Sequence, residues 1–493
     1  VCHDQLVVTH TDNTVSGKPG STLETTWGSP DEHGRLRALP GEPLLERLEL
    51  GERSSLRRPL GLLAHVTDAH VMDASSPARV TFLARLGRPF QSTFRPQEAL
   101  SAHVLVGMVA SIRALRPDVV IEGGDLIDNV QLNELEAALG ALTGGDVRPG
   151  SGPEGYHGPQ SEHNPDDFYY RPAIDDPRHP DLLRDAARPL RSSGLGAPWL
   201  PVLGDHDVLV QGELVPNPLT QALAVGDRAL WTLPEGLALP DGFEERASGS
   251  PDSPPLGGMV DQFMLAALQG QTVSVPSDPA RVQLSVTEVV GALRHASGPP
   301  AAEGAGSGGS DARLDCVHDL GDRLRILVLD FASREGGAGG RVVPGQAEFV
   351  EAALAGAGER FVVAVSHQTL RQTVGGDQIE ALLDASPNVV LVLSGHTHHN
   401  RIRPRETAAG GYWTIETSSL IDWPQQARAL RIHETDAGVA IETWMLDHVP
   451  AGGAVDLGAV SRALAYSDAT GGRPGNFAGG PADRNAMLFL ARH

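Results

Sequence analysis

Aspartate and histidine recur in five short segments: Asp68-Ala69-His70, Gly124-Asp125-Leu126-Ile127-Asp128, Gly204-Asp205-His206-Asp207, Ser366-His367-Gln368 and Gly395-His396-Thr397-His398. Each follows an apolar, largely β-branched run, so each sits at the end of an expected strand. Carboxylate oxygens and imidazole nitrogens gathered at strand ends are what a pair of hard-to-borderline divalent cations needs. Taken singly the segments are weak signals, since Gly-Asp after an apolar run is also ordinary turn chemistry. Five in order, each after an expected strand, point to two-metal hydrolysis.

The elements that must position them follow the same order. Leu60–Thr67 reads as a buried strand ahead of Asp68, 118–122 as a second ahead of Asp125, and 198–203 as a third ahead of Asp205. Strands over 324–330, 361–365 and 389–393 alternate with helices near 344–355 and 378–383, which is an α/β pattern with ligands at the carboxyl ends of strands. Helices are also expected over 96–116 and 130–142, and antiparallel strands over 412–417, 427–433 and 439–445. Residues 1–59 read as an N-terminal extension, 60–450 as the catalytic domain and 451–493 as a C-terminal extension. Two insertions, 144–197 and 210–320, interrupt the alternation, the second with helical stretches near 259–269 and 279–296 and a Gly/Ser/Ala/Pro linker over 297–312.

Composition removes several alternatives. A net charge of −23 argues against stable nucleic-acid binding, which needs a basic surface to displace counterions. An anionic substrate must then be attracted locally, by metals or arginines. Lys18 is the only lysine in the 493 residues, which excludes Schiff-base or Walker-lysine chemistry elsewhere. Two cysteines, Cys2 and Cys316, provide neither a disulfide framework nor a thiolate metal site, and Cys316 is expected to be buried and inert. With neither a secretory signal pattern nor a run of about 18 apolar residues, no transmembrane segment is expected and the default expectation is cytoplasmic.

The five segments resemble the pattern of the calcineurin-like metallophosphoesterases: Asp-x-His, Gly-Asp-x-x-Asp, Gly-Asn-His-Asp/Glu, a lone His, and Gly-His-x-His. The resemblance covers about 60–72, 118–130, 198–210 and 323–446. It implies an α/β fold of two mixed sheets flanked by helices in a four-layer sandwich, carrying large loop and helix insertions. It also implies two divalent metal ions (Mn, Fe, Zn or Mg/Ni), the first held by Asp68, His70, Asp125 and His398 and the second by a bridging Asp125 with Asp205, His367 and His396. By the same resemblance, a metal-bridging hydroxide attacks a small phosphate ester, diester or monoester, making the chain a phosphodiesterase or a phosphatase. His206 would assist the leaving oxygen and Asp207 would orient His206. Asp128 stands where an Fe(III)-binding subset carries tyrosine, so no tyrosinate ligand is expected; Asp128 and Asn129 are expected to order the turn.

One position departs from the pattern. Asp205 stands where asparagine is expected, which removes an amide donor and adds a charge. With Asp68, Asp125, Asp205 and one hydroxide against two dications the centre would be neutral, attracting phosphate less and acidifying its water less. This supports a second expectation, a metal-binding protein with an attenuated centre acting in recognition or scaffolding. The cluster His163, Phe168, Tyr169, Tyr170 and Arg171 is expected to be the small core of an insertion, and Arg401, Arg403 and Arg405 a solvated strand face.

Overall fold

The computed structural model describes residues 7–8, 20–87, 90–153, 155–176, 178–243, 258–298, 312–453 and 455–492. Most of the expected 297–312 linker lies outside the described residues.

Two mixed sheets make the frame. The larger has eight strands in the spatial order Val7–Val8, Leu44–Leu50, Ala486–Ala491, Gly438–Asp447, Gln426–Thr435, Leu56–Val66, Val119–Glu122 and Trp199–Pro201. The smaller has six: Cys316–Leu320, Leu324–Leu329, Phe361–Ser366, Val389–Ser394, Tyr412–Glu416 and Arg401–Arg405. Leu56–Val66, Val119–Glu122 and Trp199–Pro201 run parallel, as do Leu324–Leu329, Phe361–Ser366, Val389–Ser394 and Tyr412–Glu416. Val119–Glu122, Leu324–Leu329, Phe361–Ser366 and Val389–Ser394 are mostly Val, Leu and Ile, as parallel strands covered on both faces require.

The inner faces of the two sheets share one core, in which Leu63, Ile121, Leu430 and Ile441 of the larger meet Ile326, Val363, Leu391 and Trp413 of the smaller. The outer face of the larger sheet is covered by the helices Ser101–Leu115, Leu132–Thr143 and Val286–Ser297. Gln346–Ala355 and Gly376–Ala385 cover the outer face of the smaller. The result is helix, sheet, sheet, helix: the expected four layers. Glu98–Leu115 is apolar enough by length and composition to cross a membrane, but 78% of that window is buried inside the protein as the central covering helix.

The sheets extend beyond the boundaries expected from the sequence. Leu44–Leu50 pairs in parallel with Ala486–Ala491, and Thr22 bonds the side chain of Asn485, so both flanking segments contribute strands or contacts to the larger sheet. Likewise Cys316–Leu320, placed by sequence in the second insertion, is an edge strand of the smaller sheet. These strands are not legible locally because short, charge-interrupted segments acquire their pairing only from partners far along the chain. Within the first insertion Tyr169 is fully buried against Phe94, its hydroxyl donating to the Trp231 carbonyl at 2.6 Å, which is the small core expected there.

Candidate metal centre

Every motif lies just beyond the carboxyl end of a parallel strand. Both sheets present those ends on the same side, so turns from the two sheets meet over the shared core. Five of the residues in these turns take left-handed backbone conformations: Asp68 (φ 55°), His70 (43°), Asp125 (51°), His396 (63°) and His398 (57°). Such conformations cost a non-glycine residue energy and persist only where surrounding structure imposes them, which is a recurrent feature of functional sites. Asp207 supplies part of that imposition. Its carboxylate accepts from the backbone N–H of Gly204, Asp125, Leu126 and Ile127 at 2.9, 2.9, 2.9 and 3.2 Å.

The side chains then converge in two groups. Asp125, Asp205, His367 and His396 bring ligand atoms within 4.8 Å of one another, and so do Asp68, His70 and His398. Asp125 lies between the groups, its Oδ2 being 3.1 Å from His367 Nε2 and 3.8 Å from His70 Nε2. His398 Nε2 is 3.2 Å from Asp68 Oδ1, and His396 Nδ1 is 3.1 Å from Asp205 Oδ1. Apart from the half-buried edges of His396 and His398, the cluster is buried.

The donor chemistry fits cations. His367 Nδ1 sits 2.8 Å from the Gly123 carbonyl and His70 Nδ1 3.1 Å from Asp128 Oδ1, so each ring donates from Nδ1 and turns an Nε2 lone pair inward. Both of those Nε2 atoms are buried without a hydrogen-bond partner. Lone pairs facing carboxylates in a buried space repel unless a positive charge lies between them. The two groups could therefore each hold a divalent ion. Burial opposes ionisation of Asp68, yet the imidazoles of His398, His367 and His70 hold its carboxyl well below the usual range. Asp205 is likewise held low against burial, chiefly by His396 and His367.

His206 reaches the site from the Asp205 turn. Its Nδ1 lies 3.0 Å from Asp128 Oδ1, while Nε2 is 3.9 Å from Asp205 Oδ2 and the ring lines a cavity of about 430 Å³ together with Asp125, Asp205, His396 and His398. Burial disfavours the charged ring, but Asp125, Asp128 and Asp205 outweigh it and push His206 up to about 10. The expected Asp207–His206 pairing is not what the fold builds. Asp207 is consumed by the four amides, and Asp128, a turn residue by sequence, joins Nδ1 of His70 to Nδ1 of His206 instead. The Gly-Asp-x-x-Asp spacing carried that signal; the tertiary contact with His206 did not show in it.

Asp422 and Arg95 had no sequence signal, and Gln368 carried one only as a neighbour of His367. Asp422 Oδ2 lies 2.7 Å from His398 Nδ1, and Arg95 donates to both Asp422 oxygens at 2.7 and 3.3 Å, so a buried ion pair fixes that imidazole. Asp422 follows Thr417–Ile421, away from any recognisable spacing, and comes to His398 only through the fold. Gln368 donates to Asp205 Oδ1 at 2.9 Å and steadies that carboxylate beside His367 and His396. Arg401, Arg403 and Arg405 are engaged by Glu416, Asp483 and Asp384, so none is offered to the cavity. Cys316 is buried, and burial pushes its thiol up to about 12.

No family model matches the chain, and no curated protein matches it. Among solved structures, the chain is similar to a dimetal phosphatase from Danio rerio, with 11% identity over 80% of this chain and 98% of that one and a TM-score of 0.38. It is also similar to PhoD, with 11% identity over 88% of this chain and 81% of that one and a TM-score of 0.33. With scores and identities this low, these superpositions decide nothing about chemistry. The order of the motifs, the four layers and the convergence of seven Asp and His side chains at the strand ends are this chain's own. In those features it resembles the calcineurin-like metallophosphoesterases.

Proposed function

We propose that the chain is a metal-dependent phosphoesterase. The supporting observation is the pair of buried, unpartnered Nε2 atoms of His70 and His367 on either side of Asp125. In this reading Asp68, His70, Asp125 and His398 hold one divalent ion, and Asp125, Asp205, His367 and His396 hold the other. Two such ions, when bound, supply a water of lowered pKa and neutralise the oxygens of a phosphoryl group in displacement. Asp128, Asp422 and the Gly123 carbonyl each accept a hydrogen bond from Nδ1–H of a ligating ring and so fix its tautomer. His206, protonated and held on Asp128, presents Nε2 to the cavity and gives its proton to the departing alcohol oxygen. Arg95, the only arginine lining this cavity among the described residues, is committed to Asp422, so binding of the phosphate falls to the ions and His206.

The test is elemental analysis of the purified protein, followed by metal-reconstituted assays with bis-p-nitrophenyl phosphate and p-nitrophenyl phosphate across pH. We expect about two equivalents of metal and release of p-nitrophenol, reduced about 10²- to 10⁴-fold in His206→Ala. Metal binding with no release above His206→Ala under any divalent ion would support the attenuated recognition role, for which Asp205 is the supporting feature. Absence of metal binding would overturn both.

A further inference from the structure

A larger cavity of about 1100 Å³ adjoins the metal-site cavity, and Gln91, Asp468 and Thr470 line both. One wall of the larger cavity comes from the hairpin Thr25–Pro30 and Leu36–Pro40, one from the first insertion, and one from the helix Leu457–Ser467. Its lining is mixed, with aromatic and aliphatic surface from Phe94, Phe168, Tyr170 and Leu464 interrupted by charged groups. The wall is tied at its base, where Trp27 Nε1 donates to Asp447 at 2.8 Å and the Arg462 guanidinium lies over the indole at 5.2 Å. The volume is at or above the upper end of about 300–1,000 Å³ typical of small-molecule sites. A phosphate group alone needs none of it.

The residues shared by the two cavities are chemically specific. Gln91 Oε1 and Asp468 Oδ2 are both buried acceptors with no hydrogen-bond partner in the protein, although Asp468 Oδ1 takes two bonds from Thr470. Buried acceptors are normally satisfied, so two left unpartnered on residues that line one neck call for donors that a small side-chain shift would bring within reach of a ligand. We infer that the joined cavities bind the alcohol portion of a phosphate ester that carries an amine or hydroxyl donor close to the ester and an apolar body beyond it. The donor would sit at Gln91 and Asp468 and the body in the wide part, with phosphorus at the metal site; the inference rests on the phosphoesterase reading.

A series of p-nitrophenyl phosphodiesters tests it, the second alcohol being methanol, 2-aminoethanol, phenylalaninol or 2-aminodecanol. We expect kcat/KM to rise about fivefold at the aminoethyl step and at least tenfold more with an aryl or alkyl body, the last two arms deciding which body fits. Ala463→Trp, which narrows the wide part, should abolish the second gain, read as the ratio to the methyl ester in the same variant. Asp468→Asn should reduce the first. Calorimetric binding of 2-aminodecanol below its micellar concentration, to wild type and Ala463→Trp, tests the cavity without turnover. Loss of binding in the variant supports the proposal. Equal turnover across the series, or gains and binding indifferent to both substitutions, overturns it. Inertness toward every ester with intact, Ala463-sensitive binding overturns the phosphoesterase reading and leaves the cavity assignment standing.

Discussion

Asp205 is placed where it could hold a metal ion. Its Oδ1 faces His367 Nε2 at 3.3 Å, His396 Nδ1 at 3.1 Å and the Gln368 amide at 2.9 Å. An asparagine there would present an amide donor and one charge fewer, so Asp205→Asn should weaken retention of the second metal while raising turnover and lowering the pH at which the nucleophile forms. Metal content, kcat and pH profile unchanged together would remove any special role for the carboxylate. Asp128 makes a second residue-scale prediction. With Asp125 and Asp205 it raises His206 to about 10; ions held by Asp125 and Asp205 would offset those two contributions, so in the loaded enzyme Asp128 is the group that keeps the ring protonated toward alkaline pH. Activity needing the imidazolium is therefore lost on the alkaline side, and Asp128→Asn should move that limb down by about one to three pH units. An alkaline limb that does not move would mean that His206 is not the titrating acid.

At the scale of elements, the glycines of the motifs matter because neighbouring turns crowd together, within the larger sheet at Gly204 and between the two sheets at Gly395. A Cβ on Gly204 would lie 2.1 Å from Asp125 Oδ1 and 2.4 Å from the Asp125 amide, and one on Gly395 would lie 2.7 Å from Asp68 Oδ2. Gly204→Ala should therefore displace the Asp125 carboxylate, reducing metal occupancy and costing about 1–3 kcal/mol of stability through overpacking. Gly291→Ala is the control: it lies in the helix Val286–Ser297 with open space around it, where alanine should stabilise by about 1 kcal/mol. Thermal melts and metal analysis of the two variants separate steric displacement of Asp125 from a general dislike of substitution. The strands were legible because Val119–Glu122, Phe361–Ser366 and Val389–Ser394 are buried β-branched runs ending at polar turns. The crowding between turns was not, since it depends on which strands pair and on how the two sheets pack.

For the whole molecule, the site is a store of charge that the fold holds together. Asp68, Asp128, Asp205 and Asp422 are all held below the ordinary value of 3.8 by neighbouring imidazoles or Arg95, against burial. Groups depressed in the folded state stabilise it above their ordinary value and lose that contribution as pH falls below it. Thermal stability should thus drop steeply below about pH 4, as scanning calorimetry would show. At neutral pH, ions bound to the folded state alone add about 2.7 kcal/mol at a concentration a hundredfold above Kd. Chelation should then lower Tm by about 3–5 °C, for one or two such ions. A Tm indifferent to chelator would argue against occupied metal sites.

The sequence by itself determined the alternation of strand and helix, the five strand-end segments and the seven Asp and His side chains that converge. Those depend on local periodicity and on the need of parallel strands for apolar residues on both faces. Only the tertiary structure decided what each side chain does to another. It gave Asp128 to His70 and His206, turned Asp207 onto backbone amides, brought Asp422 with Arg95 behind His398, and drew Leu44–Leu50 and Ala486–Ala491 into the larger sheet. Those pairings join residues distant in the chain. Their partners are selected by packing and by the cost of leaving a buried polar group alone, and neither leaves a fixed spacing in the sequence.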